Sequence, residues 1–272
     1  MSDSFTAPGK IILFGEHAVV YGKPAIAIPV SGMRASAWSE PGEGKLTINA
    51  LDLNEKIDLK NKASQFSVLA QTLLSKTKQN EPNLTINLTS KLPQGSGMGS
   101  SAATSTAVCK ALSNYLGVDL EKNQISELVF DAEKIVHGTP SGIDNTVVAY
   151  ESPVYFIKGK EPLTFDSGCT FYLVIGDTGI ESSTKETVGN VRSLWEKEPN
   201  LMNGYFDEIA NVTEGGKQAI ENGDKEAVGE LMNKNHELLN KIGVGHQELD
   251  KFCLLYTSPS PRDVEESRFA SC

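Results

Sequence analysis

A chain of 272 residues with 39% hydrophobic and 22% charged side chains has a globular composition, which excludes disordered, collagen-like and coiled-coil architectures. The length accommodates one large domain or two modest ones, and two are expected. A net charge of −10 excludes a broad nucleic-acid surface, since duplex binding relies on Lys and Arg, while a local cationic cluster can still hold a small anion. The opening residues carry no basic region followed by an apolar core, and no apolar run is long enough for a bilayer, so neither a secretory leader nor a membrane partner is expected. Cys109, Cys169, Cys253 and Cys272 lie far apart without paired metal-ligand spacing, which predicts free thiols and a cytoplasmic location.

In chain order, Ala7-Pro8-Gly9-Lys10 reads as a turn delivering Lys10 to the start of the apolar strand Ile11 to Phe14, followed by a Gly15-Glu16-His17 corner. Lys10 has the chemistry of a point charge for a transferring phosphoryl group, and Glu16 and His17 that of hydrogen-bonding partners for a polar substrate. Taken alone, the same residues fit a solvated strand-end lysine and a satisfied, partly buried histidine better.

Leu84-Thr85-Ile86-Asn87-Leu88 alternates as a half-buried strand, and Ala102 to Leu116 carries apolar residues at helical spacing. Between them runs Leu92-Pro93-Gln94-Gly95-Ser96-Gly97-Met98-Gly99-Ser100-Ser101. Gly95, Gly97 and Gly99 let main-chain N–H groups approach an anion at a helix N-terminus, where the dipole is positive. No Lys-Ser or Lys-Thr follows the last glycine and the spacing is not Gly-x-Gly-x-x-Gly, so neither a P-loop nor a dinucleotide fold is supported. A flexible turn with a serine helix cap is the other reading of this run.

Ile125, Leu128, Val129, Ala132, Ile135 and Val136 form a helical stripe ending near His137-Gly138, with Glu133 beside it. A turn, Gly138 to Gly142, leads into Ile143-Asp144-Asn145-Thr146, the start of another short helix. Glu133 could ligate Mg²⁺ with a serine of the glycine loop while Asp144 removes a hydroxyl proton. Alternatively Glu133 is a solvated helix residue, and Ser141 and Asp144 form a capping box. Beyond Asn145, strands over Val154 to Ile157 and Phe171 to Ile175 and helices around Ser183 to Lys197, Asn203 to Ile220 and Glu226 to Ile242 suit a second α+β layer, with a boundary near Lys158 to Phe165.

Three segments in order, Pro8 to Gly22, Leu92 to Ala103 and His137 to Asn145, resemble the motifs of the small-molecule kinase superfamily that includes galactokinase, homoserine kinase, mevalonate kinase and phosphomevalonate kinase. The likeness is greatest to the mevalonate kinase family. Its opening pattern of Pro-Gly-Lys, an apolar strand and Gly-Glu-His-Ala-Val-Val is intact here, where a galactokinase would be expected to carry Arg in place of Lys10. Asn233-Lys234-Asn235-His236 and Gly243-Val244-Gly245-His246 resemble that family too, and the likeness runs from about Phe5 to Phe252.

The resemblance implies a two-domain α+β kinase fold, with an ATP-binding domain over 1–160 and a C-terminal α+β domain over 161–252. It implies transfer of the γ-phosphate of ATP to the primary hydroxyl of mevalonate, with ATP and Mg²⁺ as cofactors and a homodimer as the assembly. Asp144 becomes the catalytic base and Lys10 the cation between ATP and substrate. Ser101 and Glu133 become the Mg²⁺ ligands. The phosphates lie on Gly95, Ser96, Gly97, Met98, Gly99, Ser100 and Ser101 with Ser90 nearby, and Glu16 and His17 face mevalonate. A position such as Arg192 is either an anion contact or a surface arginine. Another kinase of the superfamily and a non-catalytic nucleotide-binding sensor are the alternatives. After Phe252 the family's Thr-Gly-Ala-Gly-Gly-Gly-Gly motif is missing and no glycine follows Gly245, so residues 253–272 are expected to be an atypical, non-family tail on a truncated second domain.

Overall fold

Two long strands, β1 (Ser4–Phe14) and β2 (Ala25–Pro41), carry the backbone between two packed units, whose described residues are 3–11 with Ile28–Ser152 in one and Ile12–Ala27 with 153–251 in the other. The computed structural model describes residues 3–251 other than 62, 94, 139 and 178–183, so the expected tail from 253 onward lies outside the described residues.

In the first unit, β3 (Thr47–Ala50), β4 (Glu55–Asp58) and β5 (Leu84–Ser90) join β2 in the order β4-β3-β5-β2, with β1 also paired to β2. β2 and β5 run antiparallel, from Ala35↔Ser90 to Pro41↔Leu84. β3 and β5 run parallel, from Thr47↔Thr85 to Ala50↔Leu88, and the crossover that parallel neighbours require is supplied by β4 and α1 (Gln65–Thr77). Leu84, Ile86 and Leu88 are all buried, as the alternation of this strand predicts.

α2 (Ser100–Tyr115) packs against β5 and is surrounded by α1, α3 (Lys122–His137) and α4 (Ile143–Tyr150). Its wholly buried side chains are largely small, Ala102, Ala103, Ala107 and Ala111 among them, which allows this central helix close neighbours on several faces. α3 starts on a capping box between Glu121 and Gln124, buries Ile125, Leu128, Val129 and Ala132, and ends at Gly138.

In the second unit, Ala25–Ala27 of β2 pair antiparallel with β6 (Val154–Phe156), which pairs with β7 (Leu163–Thr164). Three helices follow, α5 (Thr184–Lys197), α6 (Pro199–Asn222) and α7 (Lys225–Lys241). α6 opens with Pro199 in its first turn and stops at left-handed Gly223, and the Asp224 side chain caps α7 by accepting from the Ala227 N–H at 3.0 Å. The strand expected over Phe171 to Ile175 is not formed: only Val174 makes an isolated bridge, and Tyr172 and Val174 are 84% and 56% exposed. A short apolar run holds a strand only where neighbours bury it, and here its side chains are half-buried or exposed. Among the described residues no helix is long and apolar enough to cross a membrane.

Adjacent glycines on α6 make a packing test. A Cβ at Gly216 would lie 2.7 Å from the ring of fully buried Phe14, whereas one at Gly215 would make ordinary contacts of 3.4 Å and more with Leu231. Both Ala substitutions gain up to about 1 kcal/mol of helix propensity. Overpacking of a closed site costs about 1–3 kcal/mol. Urea denaturation should therefore show Gly215→Ala as stabilising and Gly216→Ala as destabilising, and equal shifts would contradict the tight Phe14 contact.

Candidate active site

β1 begins at Ser4, so Lys10 sits inside a continuous strand and not at the start of one, as the sequence reading had it. Its N–H donates to the carbonyl of Met98 at 2.9 Å, which ties the strand to the glycine loop. Gly99 has φ 69°, and a Cβ there would come within 2.8 Å of Lys10 Cγ. The missing side chain thus both permits the left-handed turn and leaves the groove in which the lysine stem lies. Lys10 is 6% exposed, and its Nζ stands 3.0 Å from Asp144 Oδ1, which rules out the solvated strand-end reading.

Asp144 lies in the first turn of α4, whose N-cap is left-handed Gly142 with no side-chain cap. Beside it Asn145 is buried and donates through Nδ2 to the carbonyl and hydroxyl oxygens of Ser126 at 3.0 and 2.8 Å, fastening this turn to α3. The Thr146 hydroxyl donates back to the Gly142 carbonyl at 2.6 Å. The capping-box reading of Ser141 and Asp144 fails because the Asp144 carboxylate faces Lys10, leaving Ser141 Oγ only a 3.4 Å contact from the Ile143 N–H.

Gly95, Gly97 and Gly99 all have positive φ, and Gly99 is the N-cap of α2 without a side-chain cap, so the serine-capped turn is not what forms. The N–H groups of the first turn of α2 have no intrahelical acceptors, and together with the loop they make an anion-binding concavity. Ser96 donates to the Pro93 carbonyl at 3.0 Å, Met98 is buried, and Ser100 is the first residue of the helix. Ser90 ends β5, where its N–H donates to Asp52 Oδ2 at 2.5 Å and its hydroxyl accepts from Leu92 N–H at 3.2 Å.

At the second residue of α2, Ser101 Oγ lies 2.5 Å from Glu133 Oε1 and 2.6 Å from Gln65 Oε1. Glu133 is 3% exposed, which removes the solvated-helix alternative. Side chains from α1, α2 and α3 thus converge on one spot. Such a set fits a hard divalent cation, which takes oxygen ligands and completes its shell with water and phosphate. Gln65 was not anticipated: it opens α1, and no local pattern connects it to Ser101.

In the second unit, Gly15 has φ 90°, and a Cβ there would sit 2.3 Å from the Pro24 carbonyl oxygen and 2.6 Å from Ala25 Cα, so only glycine makes this corner. His17 follows at φ 59° and ψ −47°, a strained pair of angles for a residue with a side chain. The turn Ala18–Tyr21 anchors the corner as Tyr21 stacks on Phe206 of α6 with ring centroids 4.3 Å apart. Glu16 Oε2 accepts from Nδ2 of Asn235, on α7, at 2.9 Å. Asn235 lay in a noted motif but carried no expected role. Burial pushes His17 down from 6.5 to about 4, so its imidazole is neutral at pH 7. Arg192 is exposed and pairs with Glu196 on its own helix at 3.0 Å, as a surface arginine does.

A glycine-rich loop feeding a central helix on a mixed sheet is the architecture of the small-molecule kinases, and residues 64–152 match the GHMP kinases N terminal domain. The chain is 36% identical over 270 residues to the mevalonate kinase of Thermococcus gammatolerans, the match covering 90% of this chain and 80% of that protein. The crystal structure of the Methanococcus jannaschii mevalonate kinase matches with a TM-score of 0.76 at 25% identity, covering 93% of this chain and 83% of that one. That of L. major mevalonate kinase in complex with R-mevalonate matches with a TM-score of 0.74 at 26% identity, covering 94% and 82%. The chain belongs to the mevalonate kinase family.

The depressed pKa of His17 has a signed consequence. Between pH 6.5 and about 4 the unfolded chain binds a proton at this residue that the folded chain does not, so its contribution to stability is present above 6.5 and is lost as the pH falls toward 4. In melting curves across that range, His17→Gln should lose less stability on acidification than the parent chain. Parallel curves would contradict a half-buried, neutral His17.

Proposed function

We propose that this chain transfers the γ-phosphoryl group of ATP to the primary hydroxyl of mevalonate, giving 5-phosphomevalonate and ADP. The observation that carries the mechanism is the Lys10–Asp144 pair, 3.0 Å apart, beside the glycine loop. A non-catalytic nucleotide sensor would have no need of a buried lysine held against a carboxylate. Asp144 accepts the proton of the primary hydroxyl as its oxygen bonds to the γ-phosphorus, and the bond from that phosphorus to the bridging oxygen breaks to release ADP. Lys10 Nζ neutralises charge developing on the transferring group. The N–H groups from Gly95 to Ser101 hold the phosphates, Ser90 lies by the nucleotide, and Glu16 and His17 bind the acceptor. Phosphoryl transfer through a loose transition state asks mainly for this positioning and charge balance. Mg²⁺, when bound, neutralises phosphate charge, and Ser101 and Glu133 are the residues that would hold it.

Free Cys109, buried with its thiol pushed up to about 12, and free Cys169 support a reducing, cytoplasmic setting. The likeness of the motifs to mevalonate kinases carries the further expectation of a homodimer.

Steady-state ADP release with ATP, Mg²⁺ and mevalonate tests the reading. Asp144→Asn should lower kcat by about two to four orders of magnitude, the range for a lost general base, while ATP affinity measured by calorimetry is retained. Turnover near that of the parent chain would remove Asp144 from the base role.

A further inference from the structure

Gln65 opens α1, yet its side chain reaches Ser101 on α2, 36 residues on, where its Oε1 accepts from the serine hydroxyl at 2.6 Å. The turn that delivers it is anchored: Phe66 and Leu69 are buried beside it, and wholly buried Ser67 donates to the Leu59 carbonyl at 2.8 Å. The same serine oxygen lies 2.5 Å from Oε1 of Glu133, which is 3% exposed. Helices α1, α2 and α3 and the glycine loop all belong to the first unit. A carboxylate and an amide oxygen are not equivalent here. The charged oxygen is the better ligand for a hard cation, while the neutral one accepts a hydroxyl proton without competing strongly for the metal. A serine that lends its lone pairs to a cation keeps its proton, and that proton needs an acceptor other than an oxygen already turned to the metal. Gln65 Oε1 is in place for it.

We infer that Gln65 is a positioning residue for the cation site: its Oε1 takes the Ser101 hydroxyl proton and so leaves the serine lone pairs for Mg²⁺ next to Glu133. The inference rests on the reading in which Ser101 and Glu133 hold that ion. Metal ligands are commonly oriented by a hydrogen-bonding partner behind them, and losing such a partner costs about 10–100-fold in metal affinity. The task assigned to Gln65 concerns the metal alone, so its loss should be felt only when the metal is present.

Calorimetry of ATP binding, with Mg²⁺ and with EDTA and in the absence of mevalonate, tests this apart from turnover. The readout is the gain in ATP affinity that Mg²⁺ confers. The parent chain should show such a gain, and Glu133→Gln should lose it. Gln65→Met, which keeps the shape of the side chain but carries no oxygen, should lower the gain by about tenfold or more while leaving metal-free ATP affinity within about threefold of the parent's. Gln65→Glu restores an acceptor oxygen and should keep the gain. A gain in Gln65→Met equal to the parent's overturns the inference and leaves the Mg²⁺ reading standing. So does an equal fall with and without metal, the mark of an amide that only joins α1 to α2. Loss of the gain in Gln65→Glu overturns it as well, whether or not Gln65→Met folds. No gain in the parent, or a full gain in Glu133→Gln, overturns both.

Discussion

A lysine ammonium lifted almost wholly out of water needs a carboxylate within a few ångströms, and the requirement that Lys10 meet Asp144 explains much of the first unit. The stem of Lys10 can lie where it does only because Gly99 has no side chain, with a Cβ there reaching within 2.8 Å of it. The strand is held to the loop by the Lys10–Met98 backbone bond, and the opposing carboxylate is aimed by Asn145, which pins the first turn of α4 to Ser126 on α3. Burying such a pair is a weak source of stability, since desolvation offsets most of the attraction. Its precise support from three separate elements is better explained by chemistry than by folding.

The same logic extends along α2. The helix begins at a glycine with positive φ, its first N–H groups lacking intrahelical acceptors, and its second residue, Ser101, meets Glu133 and Gln65. On the proposed function, the donors for phosphate and the side chains for its cation therefore share one helix end. In the second unit the Gly15-Glu16-His17 corner is strained and is held by packing of Tyr21 on Phe206, so its polar groups keep fixed directions.

How far these features can be read from sequence depends on whether a residue's partner is local. The glycine loop, the stripe of α3 and the helices of the second unit were legible because periodicity and positive-φ glycines are written within a few residues. Lys10, Glu133 and Asp144 were ambiguous on their own, since the same spacings serve a solvated lysine, a surface glutamate or a capping box. The ordered combination of motifs favoured the functional reading, and burial and the facing of Asp144 toward Lys10 then excluded the structural ones. Gln65 and Asn235 were illegible because their partners lie 36 and 219 residues away. The run Phe171 to Ile175 misled in the opposite way, a continuous apolar stretch that no neighbour buries.

The most direct test of the account is a double-mutant cycle on kcat with Lys10→Met, Asp144→Asn and the two combined. If the pair acts as one unit in the transfer step, either single change should remove most of what the pair contributes, and the double variant should be scarcely worse than the slower single one. Losses that multiply, so that the double variant falls by the product of the two single factors, would mean that Lys10 and Asp144 act independently and would contradict the account.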